Sequence, residues 1–268
     1  MRKRLDLLLV ERGLCDSRTR AQALVLEGKV RVAGQVETKA SRQVEEDAEV
    51  ELEAPPRFVS RGGEKMQGAF DKFAGLSAEG RVCIDVGSST GGFTDCLLQH
   101  GAAFVMAVDV GTNQLAYKLR SDPRVWVHEN YNARYMKPED LPQVPTLAVT
   151  DVSFISLKLI LPPMAEVLLP GGEIVSLIKP QFEAGREKVG KKGVVRDEKV
   201  HLEVVQSFVE FFPTAGFTLM GLDFSPIRGP EGNIEYLAWL RCGAQEAPAI
   251  DPAAVVAASH TAFKEKTE

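Results

Sequence analysis

The chain is poor in cysteine, and its four cysteines have no pairing pattern. Cys15, Cys83, Cys96 and Cys242 include no C-x-x-C and no zinc-like spacing, so neither a disulfide frame nor a metal site is indicated. A reducing cytoplasm fits that usage. No apolar run approaches the ~20 residues that a membrane-spanning helix requires. Arg2, Lys3 and Arg4 form a basic start, but Asp6 follows and the apolar stretch 7–10 is too short for a signal peptide. Internal repeats are lacking as well. The formal net charge is only −5, yet charge is segregated: residues 1–44 hold ten Lys/Arg against five Asp/Glu, and residues 45–53 hold six acids and no base. Segregation suits one face for phosphates and another for solvent. A mixed surface that keeps a small domain soluble is the competing reading.

At 268 residues with 44 % apolar content, the chain can bury one large core and one small one. Leu5, Leu8 and Leu9 predict a short helix ended near Gly13. A second helix, capped by Asp16 or Ser17, carries Ala21, Leu24 and Val25 inward and stops at Gly28. Val30, Val32, the Ala33-Gly34 turn and Val36 predict a hairpin, and Val50 with Leu52 a further strand. Pro55-Pro56 closes this 1–56 unit, because consecutive prolines interrupt regular structure. Residues 57–63 read as a linker, and a helix with Met66, Ala69, Phe70 and Phe73 on one side opens a domain over 64–242. Strands are expected at 82–86, 104–109, 125–128, 146–150 and 173–178, with helices from 92, at 114–120 and at 157–168. A long helix after Asp197 and two antiparallel strands, 218–224 and 234–240, complete it. Such alternation predicts an α/β, Rossmann-like, mostly parallel sheet beside a small α+β N-terminal domain. The alanine-rich tail, 243–268, is expected as a loose surface helix.

The stretch 82–93 runs from an apolar strand into a glycine loop that opens a helix, and Asp109 closes the next strand. Backbone N–H groups of such a loop approach a nucleoside closely, and a carboxylate about 20 residues on can accept from ribose hydroxyls. The dinucleotide fingerprint G-x-G-x-x-G lacks its middle glycine here, where Ser89 stands, and Asp85 would repel a pyrophosphate. S-adenosylmethionine has no phosphate and carries ammonium and sulfonium cations, which an acidic strand end favours. Asp85, Gly87, Ser88, Ser89, Thr90, Gly91, Gly92, Phe93, Asp109 and Val110 are therefore its candidate contacts, with Asn130 or Glu129 toward the adenine. An ordinary glycine turn is the bland alternative.

Ligands of open α/β sheets sit beyond the carboxyl ends of the strands. Sorting polar residues by that rule leaves Asp151, Lys179 and Glu235, with Lys65 entering from the first helix of the domain. Two further absences point to an oxygen acceptor. The (Asp/Asn)-Pro-Pro-aromatic motif of amino-directed nucleic-acid methyltransferases is replaced by Asp151-Val152-Ser153-Phe154, and no cysteine nucleophile follows the fourth or fifth strand.

Lys65, Asp151, Lys179 and Glu235 together resemble the Lys-Asp-Lys-Glu tetrad of the FtsJ-type ribose 2′-O-methyltransferases. The N-terminal run around Leu26, Gly28, Val30, Val32 and Gly34 resembles the S4-type RNA-binding domain. With the Ser60-Arg61-Gly62-Gly63-Glu64-Lys65 and Lys179-Pro180-Gln181-Phe182-Glu183 motifs, the chain resembles the TlyA family over residues 1–242. It departs from the family at the linker, where Arg57-Phe58-Val59 stands in place of Arg-Ala-Trp-Val. The resemblance implies 2′-O-methylation of cytidine in ribosomal RNA, and the family also carries the name haemolysin. Lys179 is expected as the base, Asp151 beside the cofactor's methionine end, and Lys65 and Glu235 as positioners of the hydroxyl. Arg4, Arg18, Arg20 and Lys29 are expected to meet RNA. So are Lys191 and Lys192, on the glycine-rich loop 183–196, which reads either as a lid or as a solvated surface loop. Readings from other classes are a membrane-active haemolysin and an RNA-binding assembly factor without catalysis.

Overall fold

The computed structural model describes residues 1–54 and 56–265, with the side chain of residue 265 excluded. Pro55 of the proline pair and residues 266–268 of the tail lie outside that range. The chain divides into two compact units, Met1–Pro56 and Arg57–Glu268.

The first unit runs β1 (Arg2–Arg4), α1 (Leu5–Glu11), α2 (Arg18–Leu26), β2 (Val30–Val32), β3 (Gln35–Glu37), β4 (Gln43–Glu45) and β5 (Val50–Leu52). Strands β3, β2 and β5 form one antiparallel sheet, and β1 pairs with β4 in another. Ser17 caps α2 by accepting from the Arg20 backbone N–H at 3.2 Å, which leaves one fewer of the first-turn donors without a partner. Leu5, Leu8, Leu9, Ala21, Leu24, Val25, Val30 and Val44 make the core.

The second unit contains α3 (Gly62–Lys72), β6 (Val82–Val86), α4 (Gly92–Gln99), β7 (Phe104–Val108), α5 (Tyr117–Arg120), β8 (Val125–His128) and β9 (Leu147–Thr150). It continues with α6 (Leu161–Val167), β10 (Glu173–Ile178), α7 (Pro180–Glu183), α8 (Glu198–Thr214), β11 (Phe217–Phe224), β12 (Tyr236–Cys242) and α9 (Pro252–Glu265). The sheet order is β11-β12-β10-β9-β6-β7-β8, with β12 antiparallel to both its neighbours and the other pairs parallel. Alternate residues of its central strands enter two cores. Ile84, Met106, Ala148 and Ile174 face α6, α8 and α9, while Cys83, Val105, Leu147 and Val175 face α3 and α4. Burial on both faces explains why these strands read as continuous apolar runs.

Three segments differ from expectation. The predicted helix 157–168 is a short 3-10 turn, Leu157–Leu159, followed by α6, because Pro162 and Pro163 are tolerated only in a helix's first turn. Residues 57–63 are integral to the second unit: Phe58 is buried and the Val59 N–H donates to Asp95 at 2.8 Å. The tail is not a loose helix, since α9 packs on α8 and β11 and buries Val256, Ser259 and Phe263.

Candidate active site

Strand order reverses between β6 and β9, and an open α/β sheet leaves its crevice at that point. Register puts Val86 opposite Thr150, so Gly87 and Asp151 emerge side by side. Two cavities of about 530 and 550 Å³ meet there and share Gly87, Ser89, Asp151 and Ser153. They form one crevice with two arms.

The first arm is lined by Gly87, Ser89, Asp109, Val110, Gln114, Tyr131, Asn132, Arg134 and Phe154, among others. Gly87 has φ +82°, and a Cβ there would lie 2.9 Å from the Val152 side chain; at Gly91, φ +96°, it would lie 2.3 Å from Leu119. Only glycine fits either position. Asp109 accepts from the Ser89 and Gly111 N–H groups, both at 2.7 Å. That fixes its carboxylate at the loop while each oxygen keeps a second acceptor direction. Asn130 and Glu129 do not line the arm; Glu129 instead accepts from Arg120 at 2.5 Å, and Tyr131, Asn132 and Arg134 occupy the wall. Phe154 is 90 % exposed with φ +64°, its ring 5.0 Å from that of Phe182. Sequence reasoning passed over this aromatic pair.

The second arm is lined by Ser60, Arg61, Lys65, Asp85, Ser88, Thr90, Gly92, Phe93, Asp151, Ser153, Lys179 and Arg228. Asp85 is fully buried. Its Oδ2 accepts from the Thr94 N–H at 2.9 Å and from the Thr94 hydroxyl at 2.7 Å, while Oδ1 has no partner among the described residues. Burial pushes its pKa up from 3.8 to about 7, aided by Asp151 and Asp109 and opposed by Thr94. An orphaned acceptor at the floor of the crevice suits a cationic ligand.

The four sorted residues come together. Lys179 Nζ lies 2.7 Å from Asp151 Oδ1, 2.9 Å from Ser153 Oγ and 3.4 Å from the Asp151 carbonyl. Lys65 Nζ lies 3.2 Å from Asp151 Oδ2 and 2.8 Å from Glu235 Oε2. Burial works to lower the Lys65 pKa, and the Asp151 and Glu235 carboxylates together outweigh it, holding the ammonium above its ordinary value. Glu235 is 1 % exposed and does not line the crevice; it backs Lys65 from behind. Glu183 accepts from Ser156 Oγ at 2.7 Å and the Leu157 N–H at 2.9 Å, tying the segment after β9 to α7.

Among the residues expected to meet RNA, Arg4 and Arg18 hold the buried Asp6 carboxylate at 2.9 and 3.0 Å. Lys29 pairs with Glu27 at 2.9 Å. Arg20 is exposed. Lys191 and Lys192 line a basic cavity of about 340 Å³ with Lys188 and Arg196.

A seven-stranded sheet with a glycine loop at its reversal point and a Lys-Asp-Lys-Glu cluster beside it defines a methyltransferase of the FtsJ-like class. The FtsJ-like methyltransferase family model matches residues 58–242 and the S4 domain model residues 3–50. The chain therefore belongs to the FtsJ-like methyltransferase family, in the branch that also carries an S4 domain and bears the TlyA name. It is 47 % identical to YqxC of Bacillus subtilis, which carries an rRNA methyltransferase label, over 99 % of this chain and 96 % of that one. It is 43 % identical to the 16S/23S rRNA (cytidine-2'-O)-methyltransferase TlyA of Mycobacterium tuberculosis, over 90 % of each. A solved structure from Streptococcus thermophilus that carries a hemolysin label superposes with a TM-score of 0.76 at 44 % identity, covering 99 % of this chain and 98 % of that one.

Proposed function

We propose that this protein transfers a methyl group from S-adenosylmethionine to a ribose 2′-hydroxyl, that of a cytidine, in ribosomal RNA, and that it does so in the cytoplasm. The observation that carries this reading is the unequal pairing of two buried lysines: Lys65 is matched by two carboxylates and Lys179 by one. A 2′-hydroxyl is a weak nucleophile and must lose its proton as it attacks. Of the two amines, Lys179 is the one whose charge is less fully compensated, and so the one suited to give up a proton and present a lone pair.

The cofactor, when bound, supplies a methyl group activated by its sulfonium. Asp85, Gly87, Ser89, Asp109 and Val110 form its proposed cradle, for Asp85 offers an unpartnered buried oxygen and Gly87 leaves no room for a side chain. Lys179 Nζ would take the hydroxyl proton as the 2′-oxygen displaces the sulfonium sulfur from the methyl carbon, the neutral thioether being the leaving group. Asp151 orients both amines. Lys65, kept charged by Glu235, holds the nucleophilic oxygen in place. The S4 unit supplies phosphate contacts from Arg20, and Lys191 and Lys192 add others from the second unit's 183–196 loop.

Mapping 2′-O-methyl sites in ribosomal RNA from cells with and without the gene tests the reading. One or more cytidine sites are expected to disappear with the gene and return with the wild-type copy but not with Lys179→Ala. An unchanged methylation map would sink the proposal. Lysis of erythrocytes by the purified protein, unaffected by Lys179→Ala, would favour a membrane-active protein instead. No helix among the described residues is long and apolar enough to cross a membrane.

A further inference from the structure

Gln181 stands two residues beyond Lys179, in the short helix α7. Its side-chain Nε2 donates to Glu235 Oε1 at 3.3 Å. Its Oε1 is buried with no partner among the described residues. Rotating the amide by half a turn would set that oxygen against a carboxylate oxygen, so the observed orientation is the one electrostatics allows. Glu235 has one oxygen on Lys65 and the other on Gln181. A Cβ at Gly229 would lie 2.6 Å from Glu235 Oε1, so the loop before β12 closes over the carboxylate and shields it from water.

We infer that Gln181 is a positioning residue for methyl transfer: its amide holds the Glu235 carboxylate against Lys65 and thereby leaves Asp151 to orient Lys179. The argument is one of charge balance. A buried carboxylate needs a donor on each oxygen, and an oxygen left without one bears the full desolvation cost of a charged group. Without the amide, the Glu235 carboxylate loses the donor that holds it against Lys65. Lys65 then leans on Asp151 alone, and Asp151 is drawn from Lys179 toward Lys65. The titratable groups facing this network are Lys65 on α3, Asp85 on β6, Asp151 beyond β9, Lys179 at the end of β10 and Glu235 before β12, with Arg61 and Arg228 on the crevice wall. Gln181 touches none of the reacting atoms and acts through Glu235.

The inference rests on the tetrad reading above, and the test separates the two. Single-turnover methyl transfer to ribosomal RNA is measured from about pH 6 to about pH 10 for wild type, Gln181→Leu, Gln181→Glu and Lys179→Ala, with S-adenosylmethionine affinity by calorimetry. Gln181→Leu is expected to lose about tenfold or more in rate, as for one lost hydrogen bond to a buried charge, with cofactor affinity within about twofold of wild type. Gln181→Glu is nearly isosteric, and two carboxylates in contact share one proton. While that proton is present, the acid O–H replaces the amide donor and the rate stays near wild type. As rising pH removes it, the rate falls, giving a descending alkaline limb that wild type lacks.

A Gln181→Glu profile superimposable on wild type, or Gln181→Leu within twofold of the wild-type rate, overturns the inference. Should Gln181→Leu not fold, the Gln181→Glu profile decides. Lys179→Ala as active as wild type would sink the tetrad reading and this inference together. An inactive Lys179→Ala beside an unaltered Gln181→Glu profile would sink the inference alone.

Discussion

Lys65 and Glu235, 170 positions apart in sequence, form an ion pair of 2.8 Å in which both side chains are almost entirely removed from solvent. The pair is completed by Asp151 on the other side of the ammonium. Breaking a buried pair from one side leaves an uncompensated charge. Lys65→Met strands Glu235 and is expected to cost about 3–5 kcal/mol of stability. Glu235→Gln keeps Lys65 on Asp151 and is expected to cost less. Because the Lys65 pKa is raised, its contribution is fully present at neutral pH and is lost only as pH climbs through that raised value. Urea unfolding at pH 7 checks the ranking; equal losses for the two variants would contradict it.

Asp85 carries the opposite sign. Its folded pKa of about 7 lies above the ordinary 3.8, so between those values the folded state holds a proton that the unfolded chain has released. Stability contributed at this position therefore falls as pH rises from about 4 to about 7, then levels. Asp85→Asn, which has no proton to lose, is expected to gain on wild type across that window and keep a constant margin above it. Melting temperatures of both proteins at a series of pH values measure this. A margin that is the same at pH 4 and pH 8 would show that Asp85 is already ionised in the fold.

His201 is buried among His260 at 2.9 Å, the Tyr236 hydroxyl at 3.2 Å and the Val195 carbonyl at 3.1 Å, with Asp197, Glu198 and Lys264 acting on the pair from nearby. Burial lowers its pKa from 6.5 to about 4. A base depressed in this way gives stability that is present above 6.5 and is lost as pH falls toward 4. His260 belongs to α9, so acidification is expected to loosen that helix first. Amide hydrogen exchange in residues 252–265 should speed up between about pH 6.5 and about pH 4 before the sheet responds, after correction for intrinsic exchange. Equal protection of helix and sheet across that range would contradict it.

How much of the fold is legible in the sequence depends on how local each signal is. The 82–93 segment carries its whole signature in twelve consecutive residues, and β6, the glycine loop and α4 follow the expected positions closely. Strands β1 and β4 escaped notice because three-residue strands rich in charge and amide have no alternation; their pairing spans some 40 residues. Gln181 stands inside the Lys179–Glu183 motif, but nothing local in it points to Glu235, 54 positions away. The position of Glu235 at the start of the last strand is legible in the sequence, yet only the fold reveals that it stands behind Lys65. Helix α9 was underrated because alanines dominate it and its few buried side chains, Val256, Ser259 and Phe263, are widely spaced.

Arg18 and Arg20 stand two positions apart on α2 and separate in role. Arg18 Nε holds Asp6 at 3.0 Å together with Arg4 and Gln22, and the Arg4 bond, with Gln22 and Arg18, keeps that carboxyl far below its ordinary pKa against the effect of burial. Arg18→Ala is expected to cost about 1–3 kcal/mol in stability, the worth of a hydrogen bond to a buried charge. Arg20→Ala should leave stability unchanged and lower the salt slope of RNA binding by about one counterion. Filter binding at several salt concentrations tests this. An unaltered slope would remove Arg20 from the proposed RNA surface.

The central claim is that Lys179 accepts the proton from the ribose hydroxyl, and the pH dependence of a single turnover tests it most directly. With cofactor and RNA saturating, the wild-type rate should rise with pH until the amine is neutral and then level. Lys179→Ala should lose at least the ~100-fold typical of acid–base catalysis, lose the pH dependence with it, and still bind cofactor and RNA as wild type does. A Lys179→Ala rate within a few-fold of wild type, on the same pH profile, would mean that another group or bulk hydroxide takes the proton and that Lys179 only steers the substrate.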